Sequence, residues 1–97
     1  MCIAVIGGMD RLVREYINEA EKLGFRLRIF TKAEKDMVSK IKGVDCLIIF
    51  TNKVSHRAKV EAINIARSKG IPVFMFHSCG VCTLRNCLNC MIKKGNP

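Results

Sequence analysis

Apolar residues follow two different spacings along this chain. Three short runs are apolar almost throughout and one alternates apolar with basic residues; they are CIAVI (2–6), FRLRIF (25–30), DCLIIF (45–50) and IPVFMF (71–76). In residues 10–23, 32–43 and 54–70, apolar positions recur every three or four residues. The first spacing predicts β-strands and the second predicts helices. We therefore expect four strands, each followed by a helix, with the last helix in the cysteine-rich segment.

Local signals mark the ends of these predicted helices. Gly24, Gly43 and Gly70 stand where three helices should end, and glycine most readily takes the left-handed conformation found there. Ser55 stands where the third helix should begin, and its hydroxyl can accept a backbone N–H. The third helix is therefore expected between Ser55 and Gly70.

Regular alternation of strand and helix predicts an α/β fold of three layers, with a four-stranded parallel sheet and helices on both faces, as in Rossmann and flavodoxin-like domains. FRLRIF carries Arg26 and Arg28 on one side, which fits an edge strand. The other three runs are apolar enough to be covered on both faces. We choose the strand order 2-1-3-4, with the second strand at an edge, over 3-2-1-4, which places it inside.

That order leaves the fourth strand at the opposite edge of the sheet. Its sequence, IPVFMF, is apolar throughout, and a bare apolar edge invites pairing with another chain. We therefore expect a homo-oligomer, most simply a two-fold dimer, in which a second subunit covers this strand or the helix after it.

The length of the chain, 97 residues, fits one small domain over residues 1–97. No signal peptide precedes the first strand, and no apolar run approaches the roughly 20 residues of a membrane span. We therefore expect a cytoplasmic protein without membrane contact. Disulfides are rare in that compartment, so six cysteines favour metal binding or redox chemistry.

The formal net charge of +9 is unevenly distributed. Six of the eight acidic residues lie between Asp10 and Asp36, and none follows Glu61. The basic residues of the acid-free part are Arg67, Lys69, Arg85, Lys93 and Lys94. Such a field favours an anionic partner, such as phosphate, nucleic acid or an acidic protein. A solvated basic surface without a ligand is an equally good interpretation.

Polar loop residues follow three of the predicted strands. Gly7 and Gly8 follow the first, and the candidates after the third and fourth strands are Asn52, Ser55, His56 and His77. In open parallel sheets, ligands bind at the carboxyl ends of the strands. All three loops should therefore lie on one rim of the sheet.

Three stretches of the chain resemble one known family. They are the opening IGG, TNKVSH after the third strand and IPVFMFHSCG, and they resemble DUF2325, an uncharacterised bacterial family. The resemblance covers almost the whole chain, and its most specific part is the pair Ser55–His56. It implies a small cytoplasmic Rossmann-like domain and brings no established activity. Many members have no cysteines after the fourth strand, so the resemblance does not explain the cysteine cluster.

The rim glycines and histidines each have a structural interpretation beside a functional one. Gly7 and Gly8 could let backbone amides approach an anion. G-x-G-x-x-G is missing, however, and no acid ends the second strand to hold a ribose, so we favour a tight turn and reject a dinucleotide site. His56, in the first turn of a helix, suits a neutral coordinating or hydrogen-bonding ring as well as a surface or capping role. His77 fits a partly buried structural residue that lies close to Cys79.

The six cysteines fall into two groups. Cys2 and Cys46 lie in apolar strands, where a free cysteine behaves as a small apolar residue, and we expect both in the core. The other four lie in the cysteine segment, residues 77–92, and are Cys79, Cys82, Cys87 and Cys90. On a helical wheel at about 100° per residue, these four fall opposite a face of leucines and other apolar residues. We expect them to face solvent, a cofactor or a neighbouring subunit, as ligands of a metal centre or as redox-active thiols.

Helix geometry limits how these cysteines can share a metal ion. One continuous helix would hold Cys79 and Cys90 about 16 Å apart, whereas Zn–S bonds are only ~2.3 Å. Either the helix starts late, with Thr83 as its N-cap, or the site is shared. The compact spacing C-x2-C-x4-C-x2-C favours an iron–sulfur cluster over zinc, because zinc ribbons separate their two cysteine pairs by about a dozen residues.

Three functions remain open from the sequence. The leading hypothesis is a small metal-binding module with a redox, electron-transfer or sensing role, in which Arg85, Lys93 and Lys94 provide positive surroundings for the thiolates. The alternative is a basic binding module for nucleic acid or an anionic ligand, with a structural metal. The third is a thiol-dependent enzyme with Cys79 as nucleophile, which ranks last because no acid stands near His77 or His56 to orient it.

Overall fold

The computed structural model describes residues 2–30, 41, 43–78 and 80–95. The strands are β1 Cys2–Ile6, β2 Arg26–Phe30, β3 Cys46–Phe50 and β4 Val73–Phe76. The helices are α1 Val13–Lys22, α2 His56–Lys69 and α3 Val81–Gly95, and short 3-10 turns at Asp10–Leu12 and Thr51–Lys53 precede α1 and α2. Most of the helix predicted over residues 32–43 lies outside the described residues.

The four strands form one parallel sheet in the order β2-β1-β3-β4. This confirms the α/β fold and the predicted strand order. The physical reason is the one that the sequence suggested, because β2 carries Arg26 and Arg28, both exposed, and a strand with two charged side chains is best placed at an edge.

Both faces of the two central strands are buried. On one face, alternate residues such as Ile3 and Ile48 form a core with α1 and α3; its buried helical members are Tyr16, Ala20, Leu84, Cys87 and Leu88. On the other face, Ala4 and Leu47 belong to a second core, whose members on α2 are Ala58, Ala62, Ile65 and Ala66. The molecule therefore has the expected three layers, with α1 and α3 on one side and α2 on the other.

Strand β4 departs from the expectation that it is covered on both faces. Phe74 is 38% exposed and Met75 is 54% exposed, and these neighbours lie on opposite faces of the sheet. The expectation was wrong for the isolated chain: β4 has a neighbouring strand on one side only, and Phe76 and Val73 pack against the two cores while Phe74 and Met75 stay exposed. Burial within a single chain therefore does not explain why β4 is apolar throughout.

The predicted helix ends are confirmed at two helices. The Ser55 hydroxyl accepts the backbone N–H of Ala58 at 3.2 Å and caps α2. At the other end, Gly70 has a φ of +68°, and the Ile71 N–H donates to the carbonyl of Ala66 at 2.8 Å. Gly24 ends α1 in the same manner, with a φ of +83°.

Gly8 is needed for two separate reasons. Its φ is +93°, and a Cβ atom at this position would lie 3.3 Å from both the Phe50 and Tyr16 rings. The same two rings pack against each other with centroids 5.7 Å apart. The turn after β1 is therefore pressed directly onto the core.

We predict that Gly8→Ala destabilises the protein more than Gly24→Ala does. Both substitutions put a Cβ on a left-handed residue, at a cost of about 1–2 kcal/mol, but the Cβ of Ala at position 24 would meet nothing within 4 Å. The difference in the free energy of unfolding, measured by urea denaturation, isolates the contact with Phe50 and Tyr16. Equal losses in the two variants would contradict this account of the turn.

Cys46 lies in the core as expected, and Cys2 is only partly buried. Burial raises the pKa of the Cys46 thiol from 9.0 to about 12, with a smaller contribution from the neighbouring Cys87 thiol. The neutral thiol is thus the form that the folded protein accommodates.

This shift predicts a loss of stability in alkali. As the pH rises from 9.0 toward 12, the Cys46 thiol ionises in the unfolded chain but stays protonated in the folded one, so unfolding becomes easier. Cys46→Ala should lower stability at every pH through its cavity but reduce the slope of stability against pH above 9.0. Urea titrations at a series of pH values measure the slope, with Cys2→Ala as control. An unchanged slope in Cys46→Ala would refute the assignment.

Candidate functional site

The carboxyl ends of β1, β3 and β4 bring the predicted rim loops together. Gly8 lies against Phe50 at the end of β3. Thr51, the next residue, lies 3.4 Å from His77 at the end of β4, measured from Oγ1 to Nδ1. The sequence placed these three loops on one rim, and these contacts are consistent with that arrangement.

The contact of Thr51 with His77 orients the imidazole ring. The Thr51 hydroxyl donates to the carbonyl of Phe76 at 3.3 Å, which uses its single proton. With that proton used, the contact at 3.4 Å suits the tautomer of His77 that carries its proton on Nδ1. His77 is exposed rather than partly buried, which corrects the structural interpretation made from the sequence. Sequence reasoning did not single out Thr51, because a threonine after a strand carries no signal of its own.

The residues of the loop after β3 have separate roles. Ser55 is the N-cap of α2, and its hydroxyl is engaged by Ala58 N–H. His56 is the first residue of that helix and is exposed, as is Asn52 in the preceding turn. The Ser55–His56 pair therefore combines a structural serine with a histidine on the rim.

The glycine turn offers less for an anion than its sequence suggests. The Gly7 N–H donates to the carbonyl of Phe30 at 2.8 Å and so continues the hydrogen bonding between β1 and β2 into the turn. The Met9 N–H lies 3.5 Å from the phenolic oxygen of Tyr16. These contacts agree with the tight-turn interpretation.

Helix α3 begins earlier than the late start that a four-cysteine site would need. Its first residue is Val81, and the carbonyl of Gly80 accepts the N–H groups of Thr83 at 3.1 Å and Leu84 at 3.3 Å. The prediction of Thr83 as N-cap was wrong, because Gly80 takes that position and continuous backbone hydrogen bonding draws Cys82 into the first turn. Cys79 lies outside the described residues.

The three described cysteines of the segment do not share one environment. Cys82 and Cys90 are exposed, but Cys87 is only 7% exposed and belongs to the core between α3 and the sheet. The expectation that all the cysteines lie opposite the apolar face was wrong for Cys87. On the helix it lies about 60° from Leu84 and about 60° from Cys90, and the small thiol fits on the core side of that border.

Burial also changes the chemistry of Cys87. It raises the pKa of this thiol from 9.0 to about 11, with a smaller contribution from Cys90. A metal ligand must be a thiolate, so Cys87 in this position resists the ionisation that ligation requires. Cys82 and Cys90 are the accessible thiols of the described helix.

Helix geometry decides whether these thiols fit a single metal ion as they stand. Cys90 follows Cys82 by eight positions, which is about 12 Å of rise along the helix axis. Thiolates around one zinc ion lie within about 4 Å of each other, since Zn–S bonds are ~2.3 Å. Among the residues that the structure describes, no group of three histidine, cysteine, aspartate or glutamate side chains is arranged to hold a metal ion. A four-cysteine centre within one chain therefore requires a rearrangement of α3.

Arg85 is held by α1 and is not simply part of a basic field. Its guanidinium makes two hydrogen bonds to the Glu19 carboxylate, Nη2–Oε1 at 2.7 Å and Nε–Oε2 at 3.1 Å. The hydrogen bond from Arg85 lowers the pKa of Glu19, and the same contact raises the pKa of Arg85. The pair joins α1 to α3 and neutralises one of the charges that we expected to surround the thiolates.

An open cleft of about 350 Å³ lies at the opposite end of the sheet from the rim. It is lined by Cys2, Gly24, Arg26 and Asp45. The Asp45 carboxylate already accepts the Cys2 N–H at 2.7 Å, which ties β1 to the residue before β3. This hydrogen bond gives the Asp45 side chain a structural role at the cleft.

Comparison with known proteins identifies the fold and the family. A de novo designed Rossmann fold protein is similar to this chain, with 17% sequence identity and a TM-score of 0.61, and the match covers 91% of this chain and 93% of the designed one. At this identity the likeness concerns the fold alone. A search of the curated proteins gave no match. In the part of the chain that the structure describes, no helix combines the length and apolarity needed to cross a membrane.

The family model described as "Uncharacterized protein conserved in bacteria" matches residues 2–91 of this chain. That range includes all four strands of the sheet and the rim loops between them. It also extends through the cysteines of α3, in agreement with the resemblance noted at IGG, TNKVSH and IPVFMFHSCG. The protein belongs to the DUF2325 family.

Proposed function

We propose that this protein is a small cytoplasmic metal-binding module, in which the cysteine segment binds an iron–sulfur cluster or zinc and serves a redox, electron-transfer or sensing role. The observation that carries the proposal is the exposure of both Cys82 and Cys90 on α3. Leu84 and Leu88 already supply the buried face of this helix. The two exposed thiols are therefore unnecessary for packing, and without a ligand they are open to oxidation.

In this proposal, the metal first binds the accessible thiols. Binding then remodels the start of α3. Unwinding the first turn, from Val81 to Thr83, would let Cys82 move with the preceding loop and join the other cysteines of the segment. The cost of the unwinding is a few backbone hydrogen bonds at about 1 kcal/mol each, and ligation by Cys87 adds the loss of its packing in the core. Structural zinc sites contribute roughly 10–16 kcal/mol of binding free energy at neutral pH, so the metal can offset this cost.

The position of Cys87 extends the pH range over which this binding strengthens. A metal displaces the thiol proton of each ligand, and the pKa of Cys87 is raised to about 11 by burial. Below that value, each unit of pH makes it easier to remove the proton. Every cysteine ligand makes the affinity rise with pH up to its own pKa, so if Cys87 is a ligand the affinity should keep rising between pH 9.0 and about 11.

The first test is the metal content of anaerobically purified protein. We expect stoichiometric iron and sulfide with a brown colour for an iron–sulfur cluster, or colourless protein with zinc. The double substitution Cys82→Ser with Cys90→Ser should abolish the metal and leave a folded α/β domain by circular dichroism, because both side chains are exposed. Cys2→Ser, a cysteine outside the segment, should keep the metal. Full metal content in the double variant would refute the proposal.

Hydrogen exchange tests the remodelling step separately. Adding zinc to metal-free protein should change amide protection first at Val81 to Thr83 and leave β1 and β3 unchanged, because those strands lie in the core. Protection that is unchanged in α3 while zinc binds stoichiometrically would contradict the unwinding. Metal-free protein that binds duplex DNA with a steep salt dependence would instead favour the basic binding module.

A further inference from the structure

The two edges of the sheet differ in their protection against pairing. At the β2 edge, Arg26 and Arg28 are exposed, and charged side chains discourage another strand from approaching. At the β4 edge, the strand Val73–Phe76 contains no charged residue and no proline, and it exposes Phe74 and Met75. Only one of the two edges therefore has the features of a pairing surface.

The backbone of β4 shows which groups its open edge presents. The carbonyl of Pro72 accepts the Leu47 N–H at 2.9 Å, and the carbonyl of Phe76 accepts the Thr51 hydroxyl, so both point toward β3. Successive residues of a strand direct their N–H and C=O groups to alternate sides. Val73 and Met75 therefore direct their backbone groups away from β3, toward the open edge.

We propose that this edge pairs with β4 of a second copy of the chain, antiparallel and about a two-fold axis perpendicular to the sheet. In such a pair, residues opposite each other must lie on the same face of the combined sheet. The pairing centred on Phe74 satisfies this condition. It places Phe74 opposite its symmetry mate on the α3 side, and Val73 opposite the Met75 of the other copy on the α2 side.

That register also uses every outward-facing backbone group of the strand. Val73 and Met75 of one copy exchange N–H and C=O hydrogen bonds with Met75 and Val73 of the other. Phe74 then occupies a non-hydrogen-bonded position at the two-fold axis, where side chains come closest. The result is a continuous eight-stranded sheet in which both exposed apolar side chains of β4 are covered.

A second copy fits this edge better than a charged partner does. The partner strand must be apolar on both faces and offer hydrogen bonds at alternate residues, and β4 itself meets both requirements. Each chain carries a net charge of +9, so long-range repulsion opposes self-association and salt screens it. Added salt should therefore strengthen a dimer of this chain, whereas it would weaken binding to an acidic partner.

Light scattering coupled to size exclusion, from low to high micromolar protein, tests the proposal. We expect a dimer for the natural chain, more complete at higher salt, and a monomer for Phe74→Lys and Met75→Lys. Val60→Lys is the matched control, because Val60 is 40% exposed and lies on the outer face of α2, away from β4. It removes a similar apolar side chain and adds the same charge, and it should remain a dimer.

Met75→Pro separates pairing from folding. Because the Met75 N–H points to the open edge, proline there removes no hydrogen bond between β3 and β4, but it blocks the added strand. We expect a folded monomer by circular dichroism and light scattering. A natural chain that stays monomeric at every concentration and salt, or dimers that persist in both Met75→Lys and Met75→Pro, would overturn the proposal.

Discussion

The structure depends on the complete burial of β1 and β3 at the centre of the sheet. Side chains such as Ile3 and Ile48 contact α1 and α3 on one face, while Ala4 and Leu47 contact α2 on the other. Two strands with apolar residues at every position need helices on both sides, so the three layers follow. They also require β2 and β4 to be edges. The exposed strand β4 and the rim at the carboxyl ends are consequences of the same arrangement.

The core and the candidate metal site compete for one cysteine. Cys87 packs with Leu84 and Leu88 under α3, and this burial stabilises its neutral thiol. Ligation would require the same sulfur to ionise and turn outward. Unwinding confined to the start of α3 leaves Cys87 in the core, so a centre that includes Cys87 would also need this side chain to leave its place beside Leu84 and Leu88. In the proposal of a metal centre, Cys87 would therefore be needed both by the site and by the core.

Electrostatics in the folded chain differs from the charge pattern along the sequence. The second part of the chain has no acidic residue after Glu61, yet Arg85 lies against Glu19 of α1 with two hydrogen bonds. Arg57 is likewise joined to Glu61 at 3.2 Å. The basic excess remains, but the Arg85–Glu19 pair weakens the field around α3, whereas Arg57 and Glu61 lie on α2, on the other face of the sheet. The ion pair also joins α1 to the cysteine helix at the surface, beside the buried contacts of Leu84 and Leu88 that hold this helix on the sheet.

Local features and the strand order were determined by the sequence itself. Helix α2 begins after Ser55 and ends before Gly70 because of hydrogen bonds and a backbone conformation that involve only neighbouring residues. Arg26 and Arg28 identify an edge strand by their charge alone. The burial of Cys87, the start of α3 at Val81 and the pairing of Arg85 with Glu19 were decided by the tertiary structure. A residue near the border of a helix face is buried or exposed according to the element that packs against it. Contacts between residues 66 positions apart leave no periodic trace in the chain.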